Sequence, residues 1–303
     1  MPRNAMTVDV EDYFQVSAFE RHVPRDAWDA KECRVERNVD RILGLFDRHG
    51  VQATFFTLGW VAERYPQMLR RVVAQGHEIA SHGWSHVRVT QQDAEAFRQD
   101  VLRTKSLLED VSGQEVIGYR AASYSIGESN LWALDVLSDT GHRYSSSIYP
   151  IRHDLYGMPN APRFAFRPVE GHSFLEFPVT TVKIGGRNLP CGGGGWFRLL
   201  PYAGTRWALR RVNAVDRESA IFYFHPWEVD PEQPRQPGLD AKTRFRHYLN
   251  LHRTERRLDR LLRDFAWGRM DEVLFWPHLQ RLAQAPAMTA GGRQADERKS
   301  AAR

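Results

Sequence analysis

Apolar positions follow two rhythms along this chain. Val35, Val39, Ile42, Leu43 and Phe46 recur at helical intervals, and Gly50 follows as a stop, so a helix is expected there. Pro66 stands at the first turn of a second helix that Gly76 closes. Thr90 and Asp93 read as a capping box ahead of Phe97, Val101, Leu108 and Val111, a face that ends at Gly113. Leu131, Leu134 and Leu137 make a further stripe up to Gly141, and Pro201 opens another helix toward Val212. From Thr243 to Phe265 one continuous long helix is predicted, with Leu251, Leu258, Leu262 and Phe265 on one side and arginines on the other. The second rhythm is that of short apolar runs with the length of buried strands. They fall at Met6–Val10, Ala53–Leu58, Glu78–Ser81, Val116–Tyr119, Arg143–Ser147, Phe174–Pro178 and Ala220–Phe224.

Strands alternating with helices imply an α/β fold with a parallel sheet and crossover helices. Seven such runs suggest a closed or nearly closed barrel, with an open doubly wound sheet as the alternative. No glycine-rich nucleotide fingerprint follows the first strand, which counts against a dinucleotide-binding fold. Residues 148–173 show no clean period and read as a long loop across one end of the barrel. Lys183 to Trp196, with four glycines from Gly192 to Gly195, reads as an irregular stretch, either a lid or a plain loop. From Gln284 onward the chain is mostly alanine, glycine and charge and is expected to be disordered. The expected organisation is therefore residues 1–145 as the first part of the barrel, 146–283 completing it and adding a helix, and 284–303 as a tail.

Composition narrows the function classes. The 303 residues are 42% hydrophobic and 26% charged with a formal charge of +5, ordinary for a soluble globular protein. The basic residues cluster in Arg244 to Arg263 and in the tail, without a nucleic-acid-binding motif, so no nucleic-acid partner is expected. Steep salt-dependent retention on heparin would be the sign of the opposite. Cys33 and Cys191 have no metal-type spacing and read as free thiols. The start, MPRNAMTVDVED, lacks a secretory apolar run and nothing approaches a membrane span, so a cytoplasmic protein is expected.

The chemistry lies in the polar residues at the strand ends. Asp9, Glu11 and Asp12 end the first strand, His82 and His86 follow the third, Arg120 the fourth, Ser145 and Ser146 end the fifth, and His225 ends the seventh. In a parallel barrel these ends face one cavity. Two imidazoles four residues apart can hold one metal ion if the segment turns helically, and a carboxylate from the first strand would complete a set that leaves positions open for water and substrate. Three carboxylates in four residues are costly unless a cation or Arg120 offsets them.

The elements TVDVED, SHGWSH, YRAAS, RYSSS and YFHPW, in this order, resemble the polysaccharide deacetylases of carbohydrate esterase family 4, including the NodB-type chitooligosaccharide deacetylases. The stretches GGGGWFRLLPY and NLHRTERRLDRLLRDF resemble a subgroup found with exopolysaccharide loci of exosortase (PEP-CTERM) systems. The resemblance implies a distorted (β/α)7 barrel with an added C-terminal helix and a divalent metal, usually zinc. It implies Asp9 as catalytic base, Arg120 as its positioning partner, His225 as general acid, and His82 and His86 as metal ligands. Val10 follows Asp9 where the family has a second aspartate, so the third ligand is expected to be Asp12, with Glu11 as the alternative. Ser145 stands where many members have an aspartate that supports the acid histidine, and Glu176 or Glu228 is expected to substitute. A backbone N–H near Ser123 is the expected oxyanion donor, and Tyr124, Trp84, Trp196 and Trp227 are candidate sugar platforms. The expected activity is metal-dependent removal of N-acetyl groups from an N-acetylated polysaccharide or oligosaccharide. An allantoinase-like hydrolase of a small amide and an inactive glycan-binding protein are the rivals.

Overall fold

The structure, a computed structural model, describes residues 2–153, 156–169 and 173–284. In chain order the elements are β1 (Asn4–Val10), α1 (Val35–His49), β2 (Thr54–Thr57), α2 (Gly59–Arg64), α3 (Pro66–Ala74), β3 (Glu78–Ser81), α4 (Ala94–Ser112), β4 (Gly118–Tyr119), α5 (Trp132–Asp139), β5 (Tyr144–Ser145) and β6 (Leu175–Glu176). Then follow β7 (Thr181–Ile184), β8 (Arg187–Pro190), α6 (Gly194–Leu199), α7 (Tyr202–Arg211), β9 (Ile221–Phe224), α8 (Ala241–Tyr248), α9 (Leu251–Asp264), β10 (Trp267–Gly268) and α10 (Trp276–Gln284). The tail expected from Gln284 lies, past Gln284 itself, outside the described residues.

Strand β1 is buried along its whole length and lies in the interior of the sheet. One edge pairs with β2 and, before β2 begins, with the short β10; the other edge pairs with β9. From β2 the sheet continues through β3, β4 and β5 to β6, every pairing parallel. Among the described residues β6 and β9 do not pair. The seam between them is bridged by loop residues, with Tyr223 N donating to the Gly192 carbonyl at 2.8 Å and Ile221 N to the Thr180 hydroxyl at 2.6 Å. The sheet is thus a curled, incompletely closed barrel, as the strand–helix alternation predicts.

The period of two along each strand sorts the side chains into two cores. Met6, Val8, Val10, Phe55, Phe222 and Phe224 face outward and pack with Val39, Ile42 and Phe46 of α1. Ala5, Phe56, Ala80, Tyr144 and Ile221 alternate with them and form an inner apolar cluster with Met270 and Phe275. Continuing the inward series toward the C-terminal strand ends gives Thr7 and Asp9 after Ala5, His82 after Ala80, and His225 after Ile221 and Tyr223. The barrel interior is therefore apolar at the level of Ala5, Phe56, Ala80 and Ile221, with buried Glu78 below that layer and a polar mouth above it.

The structure differs from the sequence expectations in three places. The predicted helix from Thr243 to Phe265 is two helices, because Asn250 adopts a left-handed conformation (φ 55°) between α8 and α9. Asp93 alone caps α4, accepting from Ala96 N at 2.8 Å, while Thr90 lies in a preceding short turn. The stretch from Lys183 to Trp196 is ordered into a hairpin and the start of α6. Gly185 and Gly186 form the hairpin turn, both at positive φ. The glycine run after it is a packing device. A Cβ on Gly193 would overlap the Tyr223 carbonyl, one on Gly194 would meet the Tyr223 ring, and one on Gly192 would lie 2.9 Å from Ile221 O.

Gly193→Ala combines this overlap with a backbone at φ 122° that L-residues rarely adopt, and it should cost on the order of 3 kcal/mol in denaturant unfolding. Gly195→Ala, where the nearest neighbour would be 3.9 Å away, should stay within about 0.5 kcal/mol of the parent. Equal midpoints for the two variants would refute this account of the seam.

Candidate metal centre and active site

Asp9, Glu11, His82, His86 and His225 share one cavity of about 490 Å³ at the mouth of the barrel. Ser123, Tyr124, Trp196 and Trp227 also line it. Glu11, His82 and His86 are all buried and offer donor atoms within 4.8 Å of one another, spacing suited to a single cation. His82 Nδ1–H donates to Arg120 O at 2.8 Å, which fixes the tautomer and leaves Nε2 as a lone-pair donor. Burial, opposing the nearby carboxylates, holds the His82 imidazole down at about 4, so it is neutral at neutral pH. Trp227 Nε1–H donates to Glu11 Oε1 at 3.1 Å and turns Oε2 toward His86 Nε2, 3.0 Å away. Among the described residues Glu11 Oε2 has no hydrogen-bond donor of good geometry. Burial alone would raise the Glu11 carboxyl, but the charges of His86 and His225 outweigh it and hold it at about 2. A carboxylate oxygen 3.0 Å from the His86 ring nitrogen, with the lone-pair Nε2 of His82 in the same cluster, fits a divalent cation.

The two histidines do not meet through a helix. Gly83 (φ 76°) and His86 (φ 55°) take left-handed conformations in a tight loop after β3. Backbone bonds from Gly59 N and Trp60 N to the carbonyls of Gly83 and Trp84, and Arg25 bonds to the carbonyls of Ser85 and His86, hold that loop.

The expected ligand Asp12 does not face the cavity. Its Oδ2 accepts from Arg34 N at 2.6 Å and Val35 N at 2.9 Å, and its Oδ1 from Tyr13 N at 2.8 Å. It serves as a remote cap on the first amides of α1, which otherwise lack partners. Glu11, the alternative, occupies the place beside the histidines.

Beneath the cavity Arg120 is fully buried. Its Nη1 donates to Asp9 Oδ1 at 2.6 Å and to Thr7 Oγ1 at 2.7 Å, its Nε to Ser146 O at 3.2 Å, and its Nη2 to Ser146 Oγ at 3.1 Å. The other Asp9 oxygen faces the cavity, 3.5 Å from the Tyr124 hydroxyl and 3.9 Å from His225 Nε2. His225 is 19% exposed, toward the cavity, and its Nδ1–H donates to Glu228 Oε1 at 2.7 Å. Burial works against a charged ring, but Glu11, Glu228 and Asp9 together raise His225 to about 9. Glu228 therefore takes the supporting place that Ser145 leaves empty. Glu176 does not; its Oε1 accepts from Ser147 N and Ile148 N, both at 2.8 Å. Ser145 instead donates to Ser147 Oγ at 2.7 Å.

Of the candidate platforms, Trp196 is half-buried on the cavity wall, and Tyr124 is buried with its hydroxyl toward Asp9. Trp84 is off the wall, packed against Gly59 and covered by Arg103, 3.2 Å from its ring centre. Trp227 is 5% exposed and stacked by His225 and His247, so it has no free face for a sugar. Ser123 and Tyr124 are consecutive non-glycine residues at positive φ (53° and 52°), a strained turn beside Asp9. Arg198 and His247 were not legible as site residues. Arg198 Nε donates to Glu228 Oε2 at 2.6 Å, and His247 stacks on Trp227. Glu228 stands three residues after His225 on the same short turn, a spacing visible in the sequence. No local pattern marks Arg198.

Residues 26–145 match the family profile described as polysaccharide deacetylase, and residues 146–275 match a domain of unknown function, DUF3473. A peptidoglycan-N-acetylglucosamine deacetylase of Bacillus cereus is 31% identical over 96 residues, 31% of this chain and 35% of the relative. A chitooligosaccharide deacetylase of Rhizobium leguminosarum bv. trifolii is 33% identical over 98 residues, 32% of this chain and 43% of the relative. The match thus spans less than half the length of either relative. A Mycobacterium smegmatis structure described as a polysaccharide deacetylase superposes with a TM-score of 0.58 at 19% identity, covering 93% of this chain and 92% of that one, and shows the same fold. Residues 26–145 of this chain are thus a polysaccharide deacetylase domain by their match to that family.

Proposed function

We propose that this protein hydrolyses N-acetyl groups from an amino-sugar polysaccharide, using a divalent metal, with zinc as the cation that best suits two imidazoles and one carboxylate. The observation that carries the reading is the convergence of Glu11, His82 and His86 on one point beside Asp9 and His225. When bound, a divalent cation supplies Lewis acidity, making water more acidic near neutral pH and drawing charge from a carbonyl oxygen. The cavity-facing oxygen of Asp9 takes the proton from the attacking water, while Arg120, bound to its other oxygen, fixes the carboxylate in direction. A backbone N–H at Ser123 stands as donor to the developing oxyanion. His225, held by Glu228, gives its Nε2 proton to the departing amine. Trp196 offers the aromatic face for a sugar ring.

The deacetylase names of the relatives support an acetylated glycan as substrate. The setting we propose is exopolysaccharide biosynthesis, on the resemblance of residues 192–202 and 250–265 to the subgroup found with such loci. The presence of Glu228 behind His225 speaks for an active enzyme over a binding protein that has lost its acid. A small-amide hydrolase remains the outcome to expect if acetate release is confined to small molecules.

Acetate release from N-acetylated oligosaccharides should be abolished by chelator and restored by added zinc. His82→Ala should lose both metal and turnover; full activity in a metal-free His82→Ala protein would rule the mechanism out. Asp9→Asn should keep the metal by elemental analysis and lose about 10²–10⁴-fold in kcat. Glu11→Gln should weaken metal binding in a calorimetric titration, whereas Asp12→Ala should bind metal normally and lose about 1–3 kcal/mol of stability through the orphaned amides of α1. The reverse pattern would return Asp12 to the ligand set.

A further inference from the structure

The family profile for deacetylases ends at residue 145, and His225, Glu228 and Arg198 all lie in the region matched only by a domain of unknown function. Arg198 is the buried hub of that region. It is 3% exposed, and its Nε donates to Glu228 Oε2 at 2.6 Å. Its Nη1 donates to His247 O at 2.6 Å and to Leu249 O at 3.1 Å, at the end of α8. The backbone around it is fixed in turn. Asn250 Nδ2 donates to Arg198 O at 2.9 Å, and Arg257 Nη1 from α9 donates to Phe197 O at 2.7 Å and Arg198 O at 3.0 Å. On the far side Glu228 uses its other oxygen to hold His225 Nδ1 at 2.7 Å. His247, whose Nε2 lies 2.7 Å from Gln233 Oε1, stacks on Trp227, and Trp227 stacks on His225. Guanidinium, carboxylate and imidazole thus form one line from the break between α8 and α9 to the cavity.

We propose that Arg198 is a positioning residue for the proton donor: through Glu228 it fixes the ring plane and tautomer of His225, so that the region of unknown function completes the catalytic apparatus of the deacetylase domain. The inference rests on the proposed reading of His225 as general acid. A carboxylate bound on both sides by charge-assisted hydrogen bonds has little freedom to turn. Without Arg198, the Glu228 Oε2 oxygen would be buried without its charged donor, and the carboxylate would be held on one side only, by Nδ1 and the backbone N of His225.

The step this arrangement serves is collapse of the tetrahedral adduct of an acetamide. The C–N bond breaks, its electron pair stays on nitrogen, and nitrogen takes the proton from His225 Nε2. The imidazole is left neutral, with Nδ1–H still donated to Glu228. An activated aryl ester such as 4-nitrophenyl acetate does not need that proton, since the C–O pair departs on a stable phenolate. The two substrates therefore separate loss of the positioned acid from general damage to the site.

In folded Arg198→Met, amide kcat should fall on the order of 10²-fold, as expected when an acid catalyst is misplaced, with KM for the glycan and turnover of the aryl ester little changed. Parallel loss of both activities, or no loss of amide turnover, would overturn the proposal. Should Arg198→Met fail to fold, Arg198→Lys keeps the charge but gives up the fork joining Glu228 to His247 O. It should show the same split at smaller amplitude, and equal loss of both activities would again be fatal. A readout independent of turnover is the His225 Nδ1 proton in the NMR spectrum of the protein. It should be shifted downfield and protected from exchange in the parent and lost in the Arg198 variants, while an unchanged resonance would refute the role of Arg198. If the parent cleaves no acetamide but shows this proton and its dependence on Arg198, the proposed function fails and the positioning role stands.

Discussion

The pair between Arg120 and Asp9 is the constraint on which the rest of the molecule depends. A guanidinium with no solvent exposure sits inside a barrel and contacts strand β1 through Asp9 and Thr7 and the end of β5 through Ser146. Its planar face lies 4.0 Å from the Phe56 ring centre on β2. Charge in such a place is tolerable only if every donor is used, and removing one partner from a buried pair typically costs about 3–5 kcal/mol. The backbone carbonyl of the same residue accepts from His82 Nδ1–H. One arginine thereby orients both a carboxylate and an imidazole from two different strands.

Around that pair three further groups are held from behind by buried partners. Glu11 is held by Trp227, His225 by Glu228, and Glu228 by Arg198. The outer partners come from the second half of the chain, whereas Asp9, Glu11, His82 and His86 come from the first. Preorganised sites are commonly built in this way, with a layer of hydrogen bonds behind the groups that face the ligand. Here the layer is continuous with the packing of α6, α8 and α9.

Much of this was legible in the sequence, for physical reasons. Buried parallel strands are apolar runs, and the seven runs from Met6–Val10 to Ala220–Phe224 correspond to β1 through β6 and β9. Asp9, His82, Arg120 and His225 stood out because they interrupt such runs at the ends that face the cavity. The choice between Glu11 and Asp12 was not legible. It turns on whether the amides of Arg34 and Val35, far along the chain, consume the Asp12 carboxylate. The break at Asn250 is hidden because Leu251, Leu258, Leu262 and Phe265, which carry the apolar face, all lie beyond it while the run of arginines continues through it. The β7–β8 hairpin carried a readable signal in Gly185-Gly186 between two short runs, which the neighbouring glycine-rich stretch obscured. Arg198 gave none, since an arginine in an apolar helix becomes informative only when its partners are known.

The placement of β1 has a consequence for how the polypeptide is made. Synthesis reaches this strand before the other described strands of the sheet, supplies its neighbour β2 once Thr57 is made, and supplies β9 only after Phe224 has been synthesised. At about 5–20 residues per second, the nascent protein spends on the order of ten seconds or more with one edge of this fully buried strand bare. Chaperone demand during translation is therefore written into the order of the strands, and it ends when the late segments arrive to cover the first.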